Sequence, residues 1–227
     1  MNMKKLDQTH YHQIANTLRT TLGEPKVLHQ SSPLAYTNSA LEVLIATILT
    51  QATSDKNALR AWLEYKKMYT DPEQVLQNGE QQLFNVIHSA GLTTQKTKTI
   101  MAVLQEIQKT LGTCSLDSLK DNPQLAWSFL NHLPGVGPKT AACTLLFGLG
   151  LPKFPVDVHI HRIVRRLGWV NGKLNPEQSQ EILTSQLPVD LYQDLHILLL
   201  NLGRRYCRPH QPLCQDCPLN GQCSKSF

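Results

Sequence analysis

The sequence predicts an all-α protein, and three observations carry that prediction. No stretch alternates apolar and polar residues in the way a half-buried strand does. Apolar residues instead recur at helical spacing, in segments that open at Ser, Asp or Pro and stop at Gly or Pro. Of the 227 residues, 41% are hydrophobic, enough to bury the core of one or two domains.

The elements follow in order. Residues Lys4 to Thr21 form an amphipathic helix with Leu6, Tyr11, Ile14, Ala15 and Leu18 on its apolar side, halted at Gly23-Glu24-Pro25. A polar connection runs to Pro33. Ser39 to Gln51 is so apolar that both sides of the helix must be largely buried. Thr53 or Ser54 can cap the next helix, which runs through Tyr69. Asp71-Pro72 starts another, stopped by Gly79, and Glu80 to Ala90 makes a short helix ended by Gly91. Thr94 to Leu111 is a long helix stopped by Gly112, with Lys96, Lys98 and Lys109 expected on a solvated face. Leu116 to Asn122 is a short turn of helix. Asp157 opens a helix through Arg166, Pro176 opens another that closes near Pro188, and Val189 to Tyr206 is a strongly apolar last helix.

Between these lies Leu133-Pro134-Gly135-Val136-Gly137-Pro138-Lys139-Thr140-Ala141. A helix-like run, Gln124 to His132, precedes it, and an apolar helix, Ala141 to Leu149, follows. Two glycines allow a tight turn. Pro138 suits a first helical position, where its missing N–H has no intrahelical partner. The product is a helix, a hairpin and a second helix with outward-pointing N-terminal amides, a ready site for phosphate.

The formal net charge of +5 fits a polyanionic partner. The apolar runs are far too short for a membrane span, and the amino end lacks the apolar core of a leader, so a soluble intracellular protein is expected. Four of six cysteines fall in the last 21 residues, as Cys207, Cys214, Cys217 and Cys223. A two-residue gap lets neighbouring thiolates turn onto one centre. Thiolate-only ligation suits zinc or an iron–sulfur cluster, and spacing alone does not decide between them. Cys114 and Cys143 stand apart in apolar surroundings and read as core residues.

Lys139 stands at the start of the second hairpin helix, where the positive field favours the neutral amine, the form that attacks carbon. From the hairpin alone, a phosphate-binding lysine without chemistry fits equally. Asp157 sits at a helix start, where it can cap. His159 and His161, two apart on a helix, point to different sides and do not make a metal site.

Taken together, these segments resemble the endonuclease III-like glycosylases of the helix-hairpin-helix/Gly-Pro-Asp superfamily, over residues 30 to 223. Leu133 to Ala141 matches the hairpin, Val156-Asp157-Val158-His159-Ile160 the aspartate segment, and the four cysteines the cluster loop. Leu49-Thr50-Gln51-Ala52-Thr53 resembles the loop whose glutamine fills the gap left by a flipped base. Ala90-Gly91-Leu92 resembles the loop whose leucine wedges into the opposite strand. Departures are Pro138 beside the lysine, His161, and the run Thr93-Thr94-Gln95-Lys96.

The resemblance implies two helical domains flanking a DNA-binding cleft. One is a helical barrel with the hairpin, residues 32–151; the other, residues 1–31 and 152–227, holds a [4Fe–4S] cluster on the four cysteines. It implies Lys139 as nucleophile and Asp157 as its catalytic partner across that cleft. Gln51, Leu92, Gly135, Val136, Gly137, Thr140 and His159 would contact DNA. The expected function is base-excision repair by a monomer acting on double-stranded DNA, which removes damaged bases, oxidised pyrimidines foremost, and nicks abasic sites by β-elimination. A monofunctional mismatch or adenine-type glycosylase would share Asp157 and the cluster but not need Lys139. A non-catalytic DNA-binding module would need neither, and a metal-dependent nuclease would need clustered carboxylates, which the 17 scattered acids do not supply.

Overall fold

A computed structural model describes residues 7–225, and among them every regular element is helical. Lys4 to Leu6, assigned above to the first helix, lie outside the described residues. The chain divides into two compact units: residues 30–151, and residues 1–29 with 152–227.

The continuous unit is built on α3 (Ala40–Thr50), where nine residues, Ala40, Leu41 and Val43 to Leu49, are buried. Ser39 caps it, its hydroxyl accepting from Glu42 N at 3.2 Å. Against α3 packs α4 (Asp55–Met68), which Ser54 caps through Asn57 N. The Lys66 ammonium of α4 pairs with Glu42 of α3. Trp62 and Tyr65 stack with centroids 5.2 Å apart, and the indole N–H of Trp62 donates to Tyr36 O at 3.1 Å. Helix α5 (Glu73–Val86) is broken at Gly79, whose φ of 80° and ψ of 175° interrupt the helix where the sequence placed a stop. A short 3₁₀ turn, His88–Ala90, leads to α6 (Thr93–Leu111).

The hairpin joins α7 (Pro123–His132) to α8 (Pro138–Cys143), which runs on as a π-helical segment, Thr144–Leu149. That segment lies tightly on α3. A Cβ added at Gly148 would stand 2.7 Å from Ala40 Cα, so only glycine permits the approach.

In the other unit, α1 (Gln8–Leu22) is capped by Asp7 and packs on the last helix through Tyr11, Ile14, Ala15 and Leu18. A short α2 (Pro25–His29) follows where the sequence suggested only a polar connection. Glu24 O accepts from Val27 N and Leu28 N and so starts a turn too short to show periodicity. Here α9 (Val158–Leu167), α10 (Pro176–Gln186) and α11 (Tyr192–Arg205) complete the unit. A capping box between Asn175 and Gln178 opens α10. Cys114 and Cys143 are both buried, as expected of core residues.

Candidate active site and nucleic-acid interface

In the continuous unit, the hairpin is set by Gly135 at φ 74° and by the Val136 N–Leu133 O bond of 3.1 Å. Gly135 is confined twice over. Its backbone is left-handed, and a Cβ there would lie 2.8 Å from Thr99 Cγ2 of α6. The exposed Gly135 and Gly137 amides donate to no backbone acceptor among the described residues. Lys139 follows at the second position of α8, half-buried, and takes part in none of the ion pairs among the described residues. Val136 is buried, so this part of the hairpin offers only its backbone to a ligand.

Gln51 terminates α3, and its side-chain amide donates to Thr140 Oγ1 at 3.3 Å. The structure thus brings together two residues picked separately from the sequence. Thr140 is buried and its hydroxyl faces Gln51, so any contact it makes with DNA must come from its backbone amide.

Leu92 is 56% exposed and sits in the left-handed region at φ 47°, ψ 37°, an uncommon and strained place for a leucine. Lys96, expected on a solvated face, is instead 2% exposed. Its ammonium donates to Leu49 O at 2.8 Å and to Ala90 O at 2.7 Å. The N-terminal end of α6 faces inward, and two backbone carbonyls there take up the charge. Burial pushes its pKa down to about 8. Lys98 and Lys109 are exposed, as expected.

In the discontinuous unit, Asp157 caps α9, its Oδ1 accepting from Ile160 N at 2.8 Å. Two buried side chains hold the backbone just before it. Gln180 Oε1 accepts from Val156 N at 3.2 Å, and His196 Nδ1 lies 3.1 Å from Pro155 O. Neither residue was singled out from the sequence, because each looks like an ordinary polar position on an apolar helix. His159 Nδ1 lies 3.0 Å from Arg162 Nη2, with its Cβ against Gly203 of α11. His161 Nδ1 lies 3.1 Å from Ser179 Oγ of α10, and burial, then the Arg165 charge, push its pKa down. The two histidines do point apart.

The four late cysteines line one pocket, together with Arg166, Tyr206, Pro212 and Leu213. None of the four is joined in a disulfide. Among the described residues, no three His, Cys, Asp or Glu side chains converge as ligands of a single metal ion. Arg162 Nε donates to Cys207 O at 2.9 Å, and Arg166 donates to Cys207 Sγ at 3.3 Å and Arg208 O at 2.7 Å. The Arg166 carbonyl accepts from Cys223 Sγ at 3.2 Å. So α9 carries Asp157 at one end and grips the cysteine loop at the other. An Arg-x-x-x-Arg pair on one helix face was the available sequence signal.

Residues 45–188 match the family described as HhH-GPD superfamily base excision DNA repair protein. Endonuclease III of Thermotoga maritima is 35% identical over 181 residues, 80% of this chain and 81% of that one. The chain belongs to the endonuclease III family of HhH-GPD base-excision DNA glycosylases. Endonuclease III of Rickettsia prowazekii is 32% identical over 84% of this chain and 85% of its own. A trapped endonuclease III–DNA covalent intermediate superposes with a TM-score of 0.79 at 22% identity, covering 97% of both chains. A thermostable thymine-DNA glycosylase superposes with a TM-score of 0.75 at 18% identity, covering 97% and 99%. At such identities these structures speak to the fold alone. As a member of the endonuclease III family, this protein is an enzyme that acts on DNA. No helix among its described residues is long and apolar enough to cross a membrane.

Proposed function

We propose that this glycosylase is bifunctional, removing a damaged base and then cutting the strand at the resulting abasic sugar. The observation that carries the reading is Lys139, half-buried at the second position of α8, directly after a hairpin whose glycine amides are exposed. A strand phosphate held by those amides brings the neighbouring sugar toward this amine. Membership of the endonuclease III family supports assigning covalent chemistry at the sugar to Lys139.

The neutral Lys139 amine attacks C1′ and the bond from C1′ to the base breaks, the base leaving with the electron pair and taking up a proton. The sugar ring opens to a protonated imine. Loss of a C2′ proton then expels the 3′ phosphate by β-elimination, and water releases the enzyme. Asp157 is assigned two tasks, to accept the lysine proton and to stabilise positive charge as it develops on the sugar. Its cap uses only Oδ1, so capping and catalysis are compatible. A target base inside a duplex must first be extruded, and a weakly stacked lesion costs less to extrude. Gln51 is assigned to fill the vacated space and exposed Leu92 to wedge between bases. The resemblance points to oxidised pyrimidines as the lesions.

The four cysteines fit a [4Fe–4S] cluster. A zinc ion needs four ligands within about 2.3 Å of one point, whereas a cluster takes one thiolate at each of four separated irons. The four cysteines line a common pocket, and their spacing resembles that of the cluster loop, which favours the second. Such a group would supply positive charge and cross-linking, and would leave the exposed Arg204, Arg205, Arg208 and His210 near Cys207 to meet phosphates.

The test is a labelled duplex with one thymine glycol. Bifunctional action predicts strand cleavage without alkali, leaving an unsaturated sugar on the 3′ end. Base release that becomes cleavage only after alkali would establish the monofunctional alternative.

A further inference from the structure

Helix α6 meets all three segments assigned above to DNA. Thr99 backs Gly135 of the hairpin, and Lys96 reaches the other two. Leu49, which accepts from the Lys96 ammonium, stands two residues before Gln51; Ala90, the other acceptor, stands two residues before Leu92. The backbone N–H of Lys96 also donates to Leu92 O at 3.0 Å. The two turns are neighbours, since a Cβ on Gly91 would lie 3.8 Å from Thr53 Oγ1. Among the described residues no carboxylate pairs with this lysine. Burying an ammonium on carbonyls alone is costly, and what offsets the cost here is that one ammonium satisfies a carbonyl from each of two turns.

We propose that Lys96 is a positioning residue that locks the Gln51 turn and the Leu92 turn into one rigid reader, so that gap-filling and wedging occur together. It acts on extrusion of the base from a duplex and leaves the chemistry at the sugar alone. Lys96 holds the strained Leu92 backbone from before it, through Ala90 O, and at its own carbonyl, through the Lys96 N–H. Without that tie the leucine relaxes, and displacement of about 1 Å is enough to cost on the order of a hundredfold in rate. The inference rests on the assignment of Gln51 and Leu92 to the duplex.

The experiment compares wild type, Lys96→Met and Ile107→Ala. Ile107, buried on the same helix away from both turns, supplies a control destabilised through packing alone. Single-turnover base release from thymine-glycol duplex is set against borohydride trapping on a single-stranded abasic oligonucleotide, which has no base to extrude and no opposite strand. Lys96→Met should lose at least about tenfold on the duplex while single-strand trapping stays within about twofold, and Ile107→Ala should leave that ratio at the wild-type value. Should Lys96→Met fail to fold, Lys96→Gln takes its place, since its shorter amide cannot span both carbonyls and the same direction is expected. In parallel, a duplex with 2-aminopurine beside the lesion reports unstacking at saturating protein, and the variant should give a smaller rise. An unchanged ratio with an undiminished fluorescence rise overturns the proposal. Absence of trapping by wild type instead counts against the lyase reading, and the 2-aminopurine signal still decides the role of Lys96.

Discussion

Asp157 and Lys96 each make a defined structural contact and are each assigned a task beyond it. Asp157→Asn keeps the size and the capping oxygen for Ile160 N, so thermal stability should change little. Base release should still fall about a hundred- to a thousandfold, the usual loss when a group aimed at developing charge is removed. A slow variant that has also lost its fold would instead assign Asp157 to capping. Lys96 makes a prediction about pH. Its pKa is lowered by burial from the ordinary 10.5 to about 8, so the folded protein gives up this proton before the unfolded chain does. Between those values the unfolded chain binds more protons, and stability contributed by this residue rises with pH; below about 8 both states are charged and the contribution is flat. The unfolding free energy of wild type relative to Lys96→Met, from urea titrations, should therefore grow from pH 8 to 10.5. A pH-independent difference would contradict the assignment.

Among the elements, the hairpin and the α3 packing each depend on a glycine for a different reason. Gly137 has an extended backbone and open space around it, so Gly137→Asp should fold normally. The added carboxylate would repel the phosphate, and affinity should drop for all DNA sequences alike, by about 1–3 kcal/mol in a binding titration. Sequence-dependent loss would argue against a phosphate contact. Gly148→Ala places a methyl group against Ala40 backbone and should destabilise by about 1–3 kcal/mol. Helix starts and stops were legible because their signals are local: Ser54 and Asp157 cap where expected, and Gly79, Gly112 and Gly168 interrupt or end helices. The inward turn of Lys96 was not legible. Its partners are carbonyls of Leu49 and Ala90, and backbone acceptors leave no mark on a sequence. Leu125 of α7 is 52% exposed, while Ala126 and Leu130 are the residues of that helix that are buried.

For the whole molecule, the excess of positive charge predicts binding that weakens steeply as salt rises, with a linear log–log slope that reports the number of phosphates met. The cysteine loop predicts a brown protein when purified without oxidation, with about four irons per chain. Cys214→Ala should lose iron, and with it the order of the loop that Arg162 and Arg166 tie to α9. Stoichiometric zinc in a colourless, active preparation would contradict the cluster. The central claim is that one amine performs the chemistry, and borohydride trapping on abasic duplex tests it most directly. Wild type should form a covalent adduct that survives denaturation. Lys139→Ala and Lys139→Gln should form none, yet still bind the damaged duplex, because the phosphate contact comes from the Gly135 and Gly137 amides. Strand nicking by Lys139→Ala at the wild-type rate, in protein free of host nucleases, would contradict the account.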